Sequence, residues 1–144
     1  MKFQLTQFQL EAENLKKELA NANAGAFCAF EGWVRNTNDG REVVALEYEA
    51  YEKLCGSEAE KILSEAKAAF KIIDACCVHR TGNLKVGEMA VWVGVTSGHR
   101  DSAFKACRYI MDEVKVRLPI WKKEFYTDGD SGWVNTQASS LIRV

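Results

Sequence analysis

The stretch from Thr96 to Glu124, TSGHRDSAFKACRYIMDEVKVRLPIWKKE, constrains this chain more than any other. On a wheel of about 100° per residue, Ala103, Cys107, Ile110, Met111, Val114 and Leu118 fall within one sector of roughly 100°, as in a long helix lying on a core. The only proline, Pro119, stops that helix: it has no N–H to donate and its ring crowds the preceding turn. Just upstream, Met89–Thr96 (MAVWVGVT) is uncharged and dense in valine, which predicts a central strand. A long amphipathic helix beside such a strand calls for a layered domain.

The rest of the chain fills in the layers. Lys2–Leu5 reads as a short strand and Leu10–Ala20 as a helix. Ala26–Val34 is an aromatic-rich strand with a bulge expected at Gly32. Asp39-Gly40 is a hairpin signal, so Ala26–Val34 and Glu42–Tyr51 are expected to pair, with Arg35 at the mouth of the hairpin. Ser57 and Glu60 have capping-box spacing, which predicts a helix over Ser57–Phe70 with Ala59, Ile62, Leu63, Ala66 and Phe70 as its apolar stripe. Lys71–His79 is a buried strand, and Arg80–Glu88 a turn-containing connection. Ile120–Tyr126 is a strand, Thr127–Gly132 a turn, Gly132–Asn135 a short strand and Thr136–Val144 a mobile tail. This order of elements predicts one α+β domain over residues 1–144, with about three helices and a mixed, largely antiparallel sheet.

Composition narrows the function. A net charge of −1 among 144 residues disfavours a general nucleic-acid binder, including a small RNA-binding protein, so any anion site must be a local gathering of cations. No apolar run reaches the ~18 residues of a membrane helix, and the N-terminus lacks the apolar core of a secretory signal; a cytoplasmic protein is expected. The five cysteines (28, 55, 76, 77 and 107) are odd in number and form no C-x-x-C. With His79 and His99 they match no common zinc spacing, so free, mostly buried thiols are expected and no metal.

Two places can carry chemistry. Lys115 lies about 40° beyond Met111, on the edge of the buried stripe, with Arg108 close to the same line. There it either snorkels, with its stem buried and its ammonium wet, or is desolvated among cations and serves as a general acid, base or nucleophile. Lys122 and Lys123 point to opposite faces of an extended segment, so at most one shares a pocket with Lys115. The other place is His99-Arg100 at the start of the helix, where free N–H groups suit a phosphate or carboxylate. Its bland alternative is that Ser97 only caps the helix. Arg35 is a weaker candidate, and His79-Arg80 reads as structural. There is no nucleophile elbow or glycine-rich phosphate loop.

Four segments in order carry a resemblance: G-x-V-R-N (Gly32–Asn36), H-R-x-G-x-L-x-x-G-E (His79–Glu88), V-x-V-T-S-x-H-R-x-x-A-F (Val93–Phe104) and I-M-D-x-x-K-x-R-x-P-x-W-K-x-E (Ile110–Glu124). So arranged, the chain from about Phe27 to Val134 resembles the MoaE family, the large subunit of molybdopterin synthase. The resemblance implies an α/β-hammerhead fold and a homodimer, each subunit binding a small ubiquitin-like sulfur carrier to give a heterotetramer. It also implies sulfur transfer from the carrier's Gly-Gly thiocarboxylate to cyclic pyranopterin monophosphate, forming molybdopterin's dithiolene without metal or cofactor. Lys115 and Lys122 match the catalytic lysines; Trp33, Val34, Arg35, His99, Arg100, Lys122, Lys123 and Glu124 match substrate-contacting segments, and Phe30 and Met111 pocket-lining positions. Trp33 stands where relatives often carry a smaller or basic residue. Gln137, or Arg143 further on, is the counterpart of an arginine that reaches the neighbouring subunit in some relatives. A docking module that keeps the fold without the chemistry is the alternative. The helix sharpens the picture: Arg100 and Lys115 are separated by roughly 22 Å at about 1.5 Å per residue, so His99-Arg100 is expected to complete the pocket of the mate.

Overall fold

In a computed structural model that describes residues 1–136, the chain runs β1 (Lys2–Thr6), α1 (Ala12–Leu19), β2 (Ala26–Trp33), β3 (Thr37–Asn38), β4 (Arg41–Ala50), α2 (Glu52–Ala69), β5 (Ile72–Arg80), β6 (Gly82–Lys85), β7 (Met89–Ser97), α3 (Arg100–Arg117), β8 (Ile120–Tyr126), β9 (Gly129–Asp130) and β10 (Val134–Asn135). The valine-dense β7 is interior, as its composition predicts, in a sheet of order β1-β5-β7-β2. Only the β1–β5 pair is parallel in that sheet.

Strand alternation assigns the two faces of this sheet. Cys77, Val91, Val93 and Val95 face α2 and α3, where they meet Ile62, Ala66, Ile110 and Val114. Cys76, Val78 and Trp92 face α1 and meet Leu19. Adjacent cysteines thus serve opposite cores. Each fully buried valine contributes on the order of 2 kcal/mol. Gly94 has no side chain because the Trp92 indole lies over it; a Cβ there would also come within 2.8 Å of Leu19 Cδ1.

A second sheet follows the order β10-β8-β4-β3, with β6 added to β4 and β9 to β8. Here the structure corrects the expected hairpin. The strand Ala26–Trp33 pairs along β7, and β4 pairs along β8. The turn at Asp39-Gly40 is real, with φ of 50° and 75°, but it folds only the two residues of β3 onto β4. β2 carries a nearly continuous apolar run, which lies along the equally apolar β7 instead. Its register shifts between Gly32 and Trp33, at the expected bulge. Beyond it, Val34 exchanges backbone hydrogen bonds with Glu88 O (3.0 Å) and Gly87 N (2.8 Å) and turns the chain into the second sheet.

Two further boundaries differ. The connection after β5 contains β6, which pairs Gly82–Lys85 with β4. α2 begins at Glu52, because buried Cys55 extends the stripe of Ala59, Ile62 and Ala66 by one turn. Ser57 therefore sits inside the helix and caps nothing. Thr136, expected at the start of a mobile tail, donates its hydroxyl to Ile120 O at 3.0 Å; the remainder of that tail, with Gln137 and Arg143, lies outside the described residues. Among the described residues, no helix is long and apolar enough to cross a membrane.

Candidate active site

A cavity of about 670 Å³ opens where β2 and α3 meet the β4–β8 ladder of the second sheet. One wall is the exposed edge of α3: Phe104, Arg108, Met111 and Lys115 recur every three or four residues, so they stack along one line of the helix. The facing wall comes from β2, with Cys28, Phe30 and Trp33. Tyr48 of β4 and Lys122 of β8 are directly opposite in the antiparallel register, so their side chains share a face, and both line the cavity. His79, from the end of β5, closes it beside them.

Of the residues singled out in the sequence as candidates for chemistry, Phe30, Trp33, Arg108, Met111, Lys115 and Lys122 meet in this cavity. The rest lie elsewhere. Val34 is buried with Leu46, Leu84 and Ala90 in a small core of its own. Arg35 is exposed just past the bulge. Lys123 points away from Lys122, as strand alternation requires, and its ammonium stacks 5.7 Å from the Trp133 ring. His99 and Arg100 are exposed at the opposite end of α3. There Ser97 does not cap the helix; its hydroxyl donates to His99 O at 2.5 Å.

Glu124 is buried behind the cavity and holds Lys122: the ammonium and the carboxylate are 3.0 Å apart. Asn38 Nδ2 donates to the same carboxylate at 3.0 Å and the Tyr126 hydroxyl at 3.4 Å. The ion pair lets Glu124 orient the Lys122 ammonium.

The sequence reads His79 as structural and gives Tyr48 no local signal; they become neighbours only when β5 and β4 come together. The His79 ring stands edge-on to Tyr48, with centroids 4.9 Å apart, and its Nδ1–H donates to Arg80 O at 2.7 Å. Burial lowers its pKa to about 4, against a weaker opposing effect of that hydrogen bond, so it is neutral at pH 7. Because the native pKa is depressed, the unfolded chain takes up a proton near pH 6.5 that the folded chain refuses until about 4. This residue alone should remove on the order of 3 kcal/mol of stability as pH falls across that window. Urea unfolding at pH 7 and pH 4.5 checks this: His79→Asn is expected to lose less stability than wild type on acidification. Equal losses would contradict it.

Comparison with known proteins gives the family and the fold. The family model described as MoaE protein matches residues 5–117. A molybdopterin synthase catalytic subunit from Thermoplasma volcanium is 40% identical over 130 residues, covering 90% of this chain and 95% of that protein. The crystal structure of molybdopterin synthase from Staphylococcus aureus superposes with a TM-score of 0.86 at 31% identity, over 91% of this chain and 95% of that one. A complex of subunits 1 and 2 of molybdopterin-converting factor from Helicobacter pylori shares the fold, with a TM-score of 0.74 at 24% identity over 89% of this chain and 87% of that one. The α+β architecture, with three helices among the described residues, is therefore shared with solved molybdopterin synthase subunits, and the chain belongs to the MoaE family of molybdopterin synthase catalytic subunits.

Proposed function

We propose that this protein transfers sulfur from the C-terminal thiocarboxylate of a small ubiquitin-like subunit to cyclic pyranopterin monophosphate, building the dithiolene of molybdopterin. The observation that carries this reading is the convergence of Lys115 and Lys122, from a helix and a strand far apart in sequence, on one cavity with the apolar Phe30 and Met111. Its volume suits a pterin-sized ligand and the end of an extended tail. The two ammonium groups would hold substrate phosphate and polarise the thiocarboxylate, and the apolar walls would strengthen both effects by excluding water. Two partner molecules in succession would supply the two sulfur atoms, with no resident metal or cofactor taking part.

His99 and Arg100 cannot reach the same substrate from their end of α3, because that helix is unbroken from Arg100 to Arg117. In a homodimer of large subunits, inside a heterotetramer with two small ones, they would complete the cavity of the mate. Mixing Arg100→Ala with Lys115→Ala subunits is then expected to restore part of the activity that each variant lacks alone; no recovery after subunit exchange would rule out a shared site.

A docking module would bind the small subunit's tail but would have no use for two lysines in the cavity. Incubation of the protein with thiocarboxylated small subunit and cyclic pterin separates the two readings. Dithiolene product is expected. Tight binding of the small subunit without product would favour the docking module.

A further inference from the structure

We propose that Tyr48 is a further catalytic residue, its phenol O–H forming with the Lys122 ammonium a two-donor cradle for the oxyanion that develops on the partner's C-terminal acyl carbon. This rests on the sulfur-transfer reading. The chemistry demands such an oxyanion. The partner arrives as an acyl group bonded to sulfur and leaves as a carboxylate, while the sulfur stays on the pterin carbon. At some stage, then, water adds to the acyl carbon: a C–O bond forms and the carbonyl π pair moves onto oxygen. When that pair returns, the C–S bond breaks, and sulfur leaves with its electron pair as a thiolate on the substrate. The two protons of the water pass to solvent or to the departing sulfur, and no oxidant or reductant is consumed.

Three observations select Tyr48. It stands opposite Lys122 across the β4–β8 ladder on the cavity face, where facing Cβ atoms lie about 5 Å apart, so two donors can converge on one oxygen. Its hydroxyl has no hydrogen-bond partner among the described residues, although the other polar groups around Lys122 are tied to one another through Glu124. Its ring is fixed, edge-on to His79 and packed against the Val34–Leu46–Leu84 core. The donor is also kept in the required state. Burial, and then the negative charge of Glu124, push the phenol pKa up to about 12, so the proton stays on oxygen throughout the working range. Fixed donors aimed where charge develops need no rearrangement during reaction.

Tyr48→Phe removes only the hydroxyl and keeps the ring that packs on His79. In the assembled enzyme, with thiocarboxylated small subunit and cyclic pterin, kcat is expected to fall about 10²-fold, the scale of losing one oxyanion donor, with KM for the pterin and affinity for the small subunit within about twofold of wild type. Replacement of Tyr48 by a fluorinated tyrosine serves as the second variant, since it keeps shape and hydrogen-bonding atoms but lowers the phenol pKa. Its kcat is expected to decline with rising pH earlier than that of wild type, which a purely structural role would not produce. An unchanged kcat in Tyr48→Phe, a loss confined to KM, or a fluorotyrosine pH profile identical to wild type would overturn the role of Tyr48 while leaving the sulfur-transfer reading in place. Absence of product from wild type would overturn both.

Discussion

Lys115→Ala is expected to lower dithiolene formation by about 10²–10⁴-fold, the range for removing a positioned proton donor or a fixed charge at a reacting group. The fold should be indifferent to this change. Lys115 is exposed on the edge of α3, while its neighbour Val114 is the buried residue that seats this turn on the core. Truncation of an exposed side chain changes stability by about 0.5 kcal/mol or less, so the melting temperature and small-subunit binding should stay close to wild type. Lys115→Arg then separates two roles. Arginine keeps the positive charge but does not give up its proton, so an electrostatic clamp would survive the exchange in large part and an acid–base lysine would not. Single-turnover rates of the three proteins at saturating small subunit make the comparison. A Lys115→Ala enzyme within about threefold of wild type would remove this lysine from the mechanism.

Glu88→Ala is expected to produce the largest loss of stability of any single surface-accessible carboxylate, about 3 kcal/mol. Arg80 is buried, with its side chain 7% exposed against 21% for Glu88. Its Nη1 donates to Glu88 Oε2 at 2.9 Å, its Nη2 to Gln7 O at 2.9 Å, and its Nε has no partner among the described residues. Without Glu88 the guanidinium is left as an uncompensated buried charge, which costs roughly 3–5 kcal/mol; access of water on the Glu88 side places this case at the low end. The same carboxylate accepts the Lys85 backbone N–H at 2.7 Å and Gln9 Nε2 at 3.2 Å, so its removal also loosens the β6–β7 turn. The Lys85 N–H first, then Arg80, hold its pKa below the ordinary glutamate value, which keeps it charged at neutral pH. A lower urea midpoint with an unchanged m-value is the expected signature, and a loss below about 1 kcal/mol would contradict it. The H-R-x-G-x-L-x-x-G-E segment is, on this view, chiefly a structural clamp whose leading histidine also reaches the cavity.

Much of the architecture is written in local patterns. The valine run of β7, the wheel of α3, the opposed Cys76 and Cys77, and the opposed Lys122 and Lys123 all follow from periodicities of 3.6 or 2, which involve only neighbours in the chain. What escapes those patterns is non-local. Asp39-Gly40 specifies a tight turn but not which strands it joins, so the turn alone suggests pairing β2 with β4, whereas the apolar run of β2 lies beside β7. β6 is too short, at four residues, to show an alternation. Ser57-x-x-Glu60 mimics a helix start inside a helix that begins five residues earlier.

The site divides in the same way. Lys115 could be suspected from its place on the wheel, with at most one of Lys122 and Lys123 as its neighbour; that the neighbour is Lys122 came from the family resemblance, since nothing local fixes how a helix edge faces a strand beyond Pro119. The resemblance places Glu124 in a substrate-contacting segment; only the fold shows it buried and holding Lys122. Tyr48 has no signal in its own segment and the His79 motif reads as structural; Tyr48 meets Lys122 through strand register and His79 through a ring contact, each between residues more than thirty apart in the chain.

Heavy-sulfur labelling of the small subunit's thiocarboxylate, followed by mass analysis of the pterin, tests sulfur transfer by this protein most directly. The expected product carries two labelled sulfur atoms, and two partner molecules ending in an ordinary carboxylate are released for each pterin. A pterin without sulfur, beside a stably bound partner that still holds its label, would contradict the account and leave the protein a docking subunit.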